Sequence, residues 1–200
     1  MDDQLNTFFS YGKALLVRAA ADKKSPLRTP VLATVANAIP QQRTIVLRAF
    51  KPEKLECLFY TDIRSPKVAH LQRQASSSLL FYHPKKQFQI RISGTIEISH
   101  NNNECLKHWK NLTAFGKKAY ATVNAPSTTI LEYSDGLDSK LWHSQRLPED
   151  KVLEPYYMNF ALLKLRAEEL EFLHLEREGH KRARFTIDKN GGCHGTWLIP

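Results

Sequence analysis

The stretch that decides the fold lies between residues 59 and 67 and reads Phe59-Tyr60-Thr61-Asp62-Ile63-Arg64-Ser65-Pro66-Lys67. Its apolar start predicts the end of a β-strand. Ser65 followed by Pro66 is typical of a helix with serine as N-cap and proline in the first position. The free N–H groups and the positive dipole at such a helix start attract anions. Lys67 opposes that dipole unless an anion is bound, so the stretch fits either a plain capped helix or a phosphate site.

Two flanking segments supply further candidate ligands. The first, Arg43-Thr44-Ile45-Val46-Leu47-Arg48, predicts a strand with a guanidinium at each end. The second runs from Gln87 to Gly94 and places the amide of Gln89 among apolar residues, where it must find partners or face solvent. Each segment alone also fits an ordinary surface strand. Gly94 predicts a bulge or bend.

The remaining pattern predicts many short strands and few helices. Helical spacing covers about residues 2–22 and 66–74, and a third helix follows Asn101–Asn103 and contains Leu106, Trp109, Leu112 and Phe115. Strands are predicted over residues 31–35, 44–47, 55–60, 79–82, 88–92, 95–99, 160–165, 170–175 and 184–187, with turns at residues 37–41 and 190–192. Residues 124–155 are predicted to form a long loop. We therefore expect one mainly β domain over residues 1–200, a β-barrel with peripheral helices.

The composition of the chain limits the classes of binding partner and the cellular compartment that we expect. The mean hydropathy is −0.43, and no apolar run approaches the roughly 20 residues that span a bilayer, so no membrane partner is expected. The three cysteines form no CxxC pair, which favours a reducing cytoplasmic location. The net charge of +9 is dispersed along the chain, which disfavours nucleic acid as a partner. The adjacent Cys193 and His194 lack partner spacing, so no metal site is predicted.

Taken in order and spacing, the three segments resemble the pyridoxamine 5′-phosphate oxidases and their FMN-binding split-barrel relatives. The resemblance covers about residues 32–99 and 160–200. It implies an FMN-binding split β-barrel that forms homodimers with flavin sites at the subunit interface. By resemblance, Arg43 and Lys67 hold the FMN phosphate, while Gln89 and Arg184 approach the flavin ring. The full implied cofactor-binding set is Arg43, Thr44, Val46, Arg48, Tyr60, Thr61, Ser65, Pro66, Lys67, Gln89, Ser127 and Arg184.

Departures from the family pattern concern the substrate side. Leu173 replaces the family's flavin-contacting tryptophan, and the run His180-Lys181-Arg182 replaces its Arg-x-His pair. The third helix, at residues 107–115, lacks the arginine, tyrosine and serine that hold the substrate phosphate in the oxidases. Charge-assisted pairs are among the strongest polar contacts, so their loss argues against the usual substrate.

The expected function is that of an FMN-dependent oxidoreductase acting on another small molecule. His180 and Arg182 are the candidate substrate contacts, and no catalytic residue is identified. Three alternative functions stay open: a non-catalytic flavin- or haem-related binding module, a true pyridoxamine/pyridoxine 5′-phosphate oxidase with an altered pocket, and a nucleic-acid-binding barrel. A deazaflavin could also take the place of FMN.

Overall fold

The computed structural model describes residues 2–138, 141 and 149–200, which fall into two compact units. The first unit comprises Met1–Phe59, Gln74–Glu97 and Lys164–Pro200. The second comprises Tyr60–Arg73 and Ile98–Leu163. Among the described residues, no helix is long and apolar enough to cross a membrane.

The helices and strands follow one another along the chain in a mainly β pattern. The elements up to residue 73 are α1 (Asp3–Ala21), β1 (Val31–Ala36), β2 (Ile39–Thr44), β3 (Leu47–Lys51), β4 (Glu56–Asp62) and α2 (Pro66–Arg73). The later ones are β5 (Ser76–His83), β6 (Phe88–His100), α3 (Asn103–Lys110), α4 (Ala114–Lys118), α5 (Asp150–Leu153), β7 (Phe160–His174), β8 (Lys181–Ile187) and β9 (Cys193–Leu198). Short 3-10 turns occupy Pro26–Arg28, Pro84–Lys86 and Glu154–Asn159.

Within the described ranges, the strands form one nine-stranded sheet in the order β2-β1-β5-β6-β7-β4-β3, and β8 pairs with both β7 and β9. Consecutive strands such as β1 and β2, or β8 and β9, pair antiparallel as hairpins. This architecture confirms the predicted mainly β fold. Its alternation of side chains between two faces decides which residues face the core and which can form a site.

The core of the first unit is built around helix α1. Asp2 caps this helix by accepting a hydrogen bond from the Leu5 N–H at 2.8 Å. The helix then buries aromatic rings against late strands: Phe8 lies 5.5 Å from Trp197, and Phe9 lies 4.6 Å from Phe185, between ring centroids. The amphipathic spacing predicted for residues 2–22 is thus used to cover the sheet.

The prediction of one strand over Arg43–Arg48 is wrong. Strand β2 ends at Thr44 and β3 begins at Leu47, because the residue next in register with Ile45 is Pro30, which accepts the Ile45 N–H at 3.0 Å but has no N–H to donate in return. The preceding turn is also tighter than predicted. Only Asn37 and Ala38 form it, both with positive φ (51° and 65°), as in a two-residue hairpin.

Gly94 makes no bulge in the pairing of β6 with β5, where one was predicted. Strand β6 pairs with β5 in unbroken register from Thr95 opposite Ser76 to Phe88 opposite His83. The glycine is needed because a Cβ at this position would collide with the Arg166 carbonyl oxygen. A glycine inside a strand here marks a close backbone approach.

The third predicted helix is divided into two. Helix α3 ends at Lys110, and α4 starts after Thr113, whose hydroxyl accepts the Gly116 N–H at 3.2 Å. Phe115, which the spacing predicted on the apolar face of a single helix, is consequently 72% exposed. The predicted 124–155 loop contains α5 and the start of a 3-10 turn, and its residues 139–140 and 142–148 lie outside the described residues.

Candidate flavin site

A buried hydroxyl pair and a lysine meet where β4 leads into α2. Thr61 and Ser65 are only 5% and 3% exposed. Lys67 donates from Nζ to Thr61 Oγ1 at 3.1 Å and to Ser65 Oγ at 2.8 Å, and the two hydroxyl oxygens are 3.3 Å apart. We call these three residues the hydroxyl–lysine cluster.

The chemistry of this cluster suits a phosphate group. An ammonium and two hydroxyl groups are donors that phosphate oxygens accept, and charge-assisted bonds of this kind are strong. The cluster sits at the N-terminus of α2, whose Pro66 occupies a position where no N–H is needed. The residues present therefore fit the phosphate end of FMN.

Arg64 stabilises the same turn, and the sequence pattern did not predict this role. Its Nε and Nη2 donate to the two carboxylate oxygens of Asp62 at 3.0 and 2.7 Å, and this bond is the main cause of its raised pKa. The guanidinium also donates to the Thr122 hydroxyl at 2.9 Å and carbonyl at 3.1 Å. An aspartate two residues before an arginine hinted at the first contact, but no local pattern indicated Thr122.

Tyr60 is directed toward α3. Its hydroxyl forms a 2.9 Å hydrogen bond with His108 Nδ1, and its ring meets Phe160 edge-on at 5.1 Å. His108 is a second residue that sequence reasoning missed as a neighbour of the predicted set. The Tyr60 side chain thus links β4 to α3, and this bond occupies its hydroxyl.

Ser127 lies on an exposed turn of the second unit. The Thr128 N–H donates to the Ala125 carbonyl at 3.2 Å, with Pro126 and Ser127 at the corner. Ser127 has φ of +70°, a left-handed conformation that suits the third position of a type II turn and normally favours glycine. It also lines a pocket of about 350 Å³ formed by residues 119–136. A serine held in this conformation is a mark of local strain, which concentrates at functional sites.

In the first unit, Arg43 is anchored by its own sheet. Its Nη1 donates to Thr34 Oγ1 at 2.6 Å and to the Gln41 carbonyl at 2.9 Å, and partial burial lowers the guanidinium pKa. Its hydrogen bonds to described residues all run from Nη1, which leaves Nε and Nη2 as donors for a ligand. Of the other predicted residues nearby, Thr44 and Arg48 are exposed and Val46 is half-buried.

Gln89 shares the outer face of β6 with Arg91. Arg91 donates to Glu171 Oε1 at 3.1 Å, and Arg182 donates to the same oxygen from Nη2 at 2.8 Å. Arg184 lies opposite Glu171 in the β7–β8 register, with its Nη2 3.8 Å from Oε2. The structure thus brings two predicted residues, Arg182 and Arg184, onto one buried carboxylate.

The remaining predicted residues are dispersed. His180 is exposed just before β8, and Leu173, at the position of the family tryptophan, is half-buried on β7. Within the second unit the structure joins Thr61, Ser65 and Lys67 directly, whereas the Ser127 turn is a separate segment.

Comparison with known proteins identifies the family of the region that contains the hydroxyl–lysine cluster. Residues 10–100 match the family model described as pyridoxamine 5′-phosphate oxidase, FMN-binding domain. Over these residues the chain carries a divergent domain of the pyridoxamine 5′-phosphate oxidase-like family. Its cofactor is FMN.

Individual relatives of this family member are distant but extend over its full length. The pyridoxine/pyridoxamine 5′-phosphate oxidase of Wolbachia pipientis wMel is 22% identical, over 99% of this chain and 88% of the relative. A crystal structure of a pyridoxamine 5′-phosphate oxidase-related, FMN-binding protein from Nostoc punctiforme PCC 73102 superposes with a TM-score of 0.77 and 21% identity, covering 96% of this chain and 97% of that one. PhzG from Burkholderia lata 383 gives a TM-score of 0.69 at 19% identity, covering 100% and 98%. These likenesses establish the split-barrel fold.

Proposed function

We propose that this family member is an FMN-dependent oxidoreductase that acts on a small molecule other than pyridoxine phosphate. The observation that carries the proposal is the hydroxyl–lysine cluster, a phosphate-binding donor set at the start of α2 within an FMN-binding family domain. The substrate side differs, because helix α3 offers no arginine and directs His108 to Tyr60. The donors that bind the cofactor phosphate are retained, whereas the residues that bind the substrate phosphate in the oxidases are absent. This combination indicates a different substrate.

The roles of individual residues follow from their chemistry. Thr61, Ser65 and Lys67 hold the phosphate end, assisted by Arg43 through its remaining donors. Gln89 supplies an amide that can donate to or accept from the edge of a heteroaromatic ring. FMN, when bound, supplies the redox chemistry by taking up two electrons from a donor and passing them to an acceptor. The protein binds, orients and shields the reactants.

The ring-side arginines have a separate task. Arg48 is exposed at the start of β3, and Arg184 stands beside Glu171 on β8. Positive charge near a flavin ring tunes its electronics, which is the part of the chemistry that a protein controls. Ser127, Thr44, Val46, Tyr60 and Pro66 complete the proposed cofactor contacts, and His180 and Arg182 the substrate contacts.

We further propose that the protein is a cytoplasmic homodimer with flavin sites at the subunit interface. Membership of the family supports the dimer. The three cysteines are all free, and two of them, Cys57 and Cys105, are buried, which suits a reducing compartment. Size-exclusion chromatography with light scattering tests the dimer: a mass near 46 kDa, twice the 23.0 kDa of the chain, is expected.

The first experiment is an absorbance spectrum of the purified protein after incubation with FMN and desalting. We expect retained flavin bands at about one FMN per subunit. Anaerobic mixing with NADPH, NADH, primary amines and pyridoxine 5′-phosphate then tests for turnover. Bleaching of the flavin by one of the first three donors, but not by pyridoxine 5′-phosphate, supports the proposal. A flavin that no donor reduces would contradict the oxidoreductase assignment and favour a non-catalytic binding module.

A further inference from the structure

Glu171 and the three arginines around it form an unusual charge cluster on the outer face of the sheet. Glu171 is only 4% exposed, while the side chains of Arg91, Arg182 and Arg184 are 49%, 31% and 45% exposed. A buried carboxylate is costly unless it is paired and hydrogen-bonded. Arg182 alone already gives Glu171 Oε1 two hydrogen bonds, from Nε at 3.2 Å and Nη2 at 2.8 Å. The further arginines exceed what this one carboxylate needs.

The charge balance of the cluster is positive. Arg184 also approaches Glu169, with Nε 3.4 Å from Oε2, so three guanidinium groups face two carboxylates, which leaves a net charge of +1. Each guanidinium carries five N–H donors. Within the described part of the chain, Arg91 uses one of them, in its bond to Glu171. Donors and excess charge therefore remain on the solvent side of the face.

An apolar surface adjoins these donors. Leu80 lies opposite Arg91, and Tyr82 lies opposite Gln89, in the β5–β6 register. Residues directly opposite in an antiparallel pair share a face. Leu80 and Tyr82 are 41% and 46% exposed, so an aliphatic group and an aromatic ring stand beside the guanidinium groups. A flat molecule with one charged end matches this combination.

We propose that Arg91, Arg182 and Arg184, held in place by Glu171, form an anion-binding site for the carboxylate of a planar substrate whose body packs on Leu80 and Tyr82. Guanidinium groups bind carboxylates through two parallel hydrogen bonds, and Glu171 fixes the forks in advance. Glu171 is a positioning residue in this arrangement, since it acts through the arginines. The inference rests on the proposed function in that Gln89 and Arg184 are assigned to the flavin ring, which puts the bound substrate beside it.

Benzoate is the probe, and benzamide is its uncharged counterpart of nearly equal shape. Isothermal titration calorimetry on the FMN-loaded protein is expected to give a dissociation constant at least about tenfold lower for benzoate, since hydrogen bonds to charged groups are the stronger ones. Benzoate is also expected to perturb the flavin absorbance bands. Inorganic phosphate, which lacks a flat body, should bind more weakly than benzoate. Equal binding of benzoate and benzamide, or phosphate binding without benzoate binding, would overturn the proposal.

Substitutions locate the site. Arg182→Gln is expected to weaken benzoate binding about tenfold or more. Arg166→Gln is the matched control, because Arg166 is an exposed arginine on β7 and its loss changes the net charge equally. Arg91→Gln removes a single hydrogen bond from Glu171, so it provides a second test if Arg182→Gln fails to fold by circular dichroism. Similar losses in the control and in the cluster variants would show that only overall charge matters and would overturn the site.

The flavin content of each sample separates the two proposals. Normal FMN binding without benzoate binding refutes the anion site and leaves the flavoprotein assignment intact. Failure of every sample to bind FMN contradicts the proposed function instead. In that case, calorimetry with the flavin-free protein still decides whether the arginines bind benzoate.

Discussion

Replacing Lys67 by methionine isolates the charge that the hydroxyl–lysine cluster offers to a phosphate. Methionine keeps an unbranched side chain that lacks only the terminal ammonium and has a similar helix propensity, so α2 should persist. The hydroxyl groups of Thr61 and Ser65 remain 3.3 Å apart and can still hydrogen-bond to each other. The expected change in melting temperature is therefore small, and the effect should fall on ligand binding.

The magnitude follows from the geometry. Lys67 Nζ lies 2.8 Å from Ser65 Oγ, so a phosphate oxygen bound in the same place would be about 3 Å from the ammonium. Coulomb attraction at that distance is about 5 kcal/mol for an effective dielectric constant of about 20. Desolvation offsets part of it, and hydrogen bonds to charged groups contribute about 1.5–3 kcal/mol net. The dissociation constant for FMN should rise about 10- to 150-fold, at about 1.4 kcal/mol per factor of ten.

Fluorescence titration with FMN and with riboflavin is the assay. Riboflavin lacks the phosphate, so its dissociation constant should be the same for the wild type and for Lys67→Met. Lys107→Met is the control, because Lys107 is an exposed lysine of α3 in the same unit, and it should leave both constants unchanged. Equal weakening of FMN and riboflavin by Lys67→Met, or unchanged FMN binding, would refute the assignment of this lysine to the phosphate.

Three further predictions concern the fold. Gly94→Ala should lower the free energy of unfolding by at least about 2 kcal/mol in urea denaturation, since its Cβ would meet a backbone carbonyl of β7 that cannot move aside; an unchanged midpoint would contradict this close approach. Ala38→Gly should raise that free energy by about 1 kcal/mol, because alanine is held there at φ 65°, and a loss of stability would show that the hairpin has another conformation. Burial raises the pKa of the Cys57 thiol, with a smaller contribution from Glu56, so Cys57 should stay unmodified by iodoacetamide in the native protein while half-buried Cys193 reacts. Peptide mass spectrometry measures both modifications, and modification of Cys57 before Cys193 would contradict the burial of Cys57.

Local features of this fold were accessible from the sequence. Thr61, Ser65 and Lys67 lie within seven residues at a strand-to-helix transition, so helix geometry and capping rules bring them together without knowledge of the rest of the chain. The amphipathic spacing of α1 is similarly local. Both depend on interactions between neighbours in the sequence, which patterns of residues record directly.

Contacts between distant segments were not accessible. The partners of Arg64 and Tyr60, Thr122 and His108, lie more than 45 residues away along the chain, and no periodicity encodes such pairs. Gly94 was misjudged for the same reason, because the backbone that approaches it belongs to another strand. The break between β2 and β3 likewise depends on which residue pairs with Ile45, and that partner, Pro30, is fixed by the register of β2 on β1.

The sheet face around Glu171 lies between these two cases. The strand predicted over residues 184–187 omitted Arg182, whereas the observed β8 begins at Lys181, and alternation along it places Arg182 and Arg184 on one face. The convergence of Arg91 on the same carboxylate depends on the strand order of the sheet. A charged residue such as Glu171, which its sequence alone would place at the surface, can therefore be buried and paired with several arginines in the fold.

The aromatic contacts of α1 also determine when this protein can fold during synthesis. The helix is translated well before its late partners, because Phe8 and Phe9 pack on Trp197 and Phe185 near residue 200. At ribosomal rates of about 5–20 residues per second, the apolar face of the helix waits roughly 10–40 s for these two rings. During that interval it is a natural binding segment for chaperones. A ribosome that stalls before β8 and β9 would hold a nascent chain whose first helix has the rings of Phe88 and Phe172 to pack on but lacks those of Trp197 and Phe185.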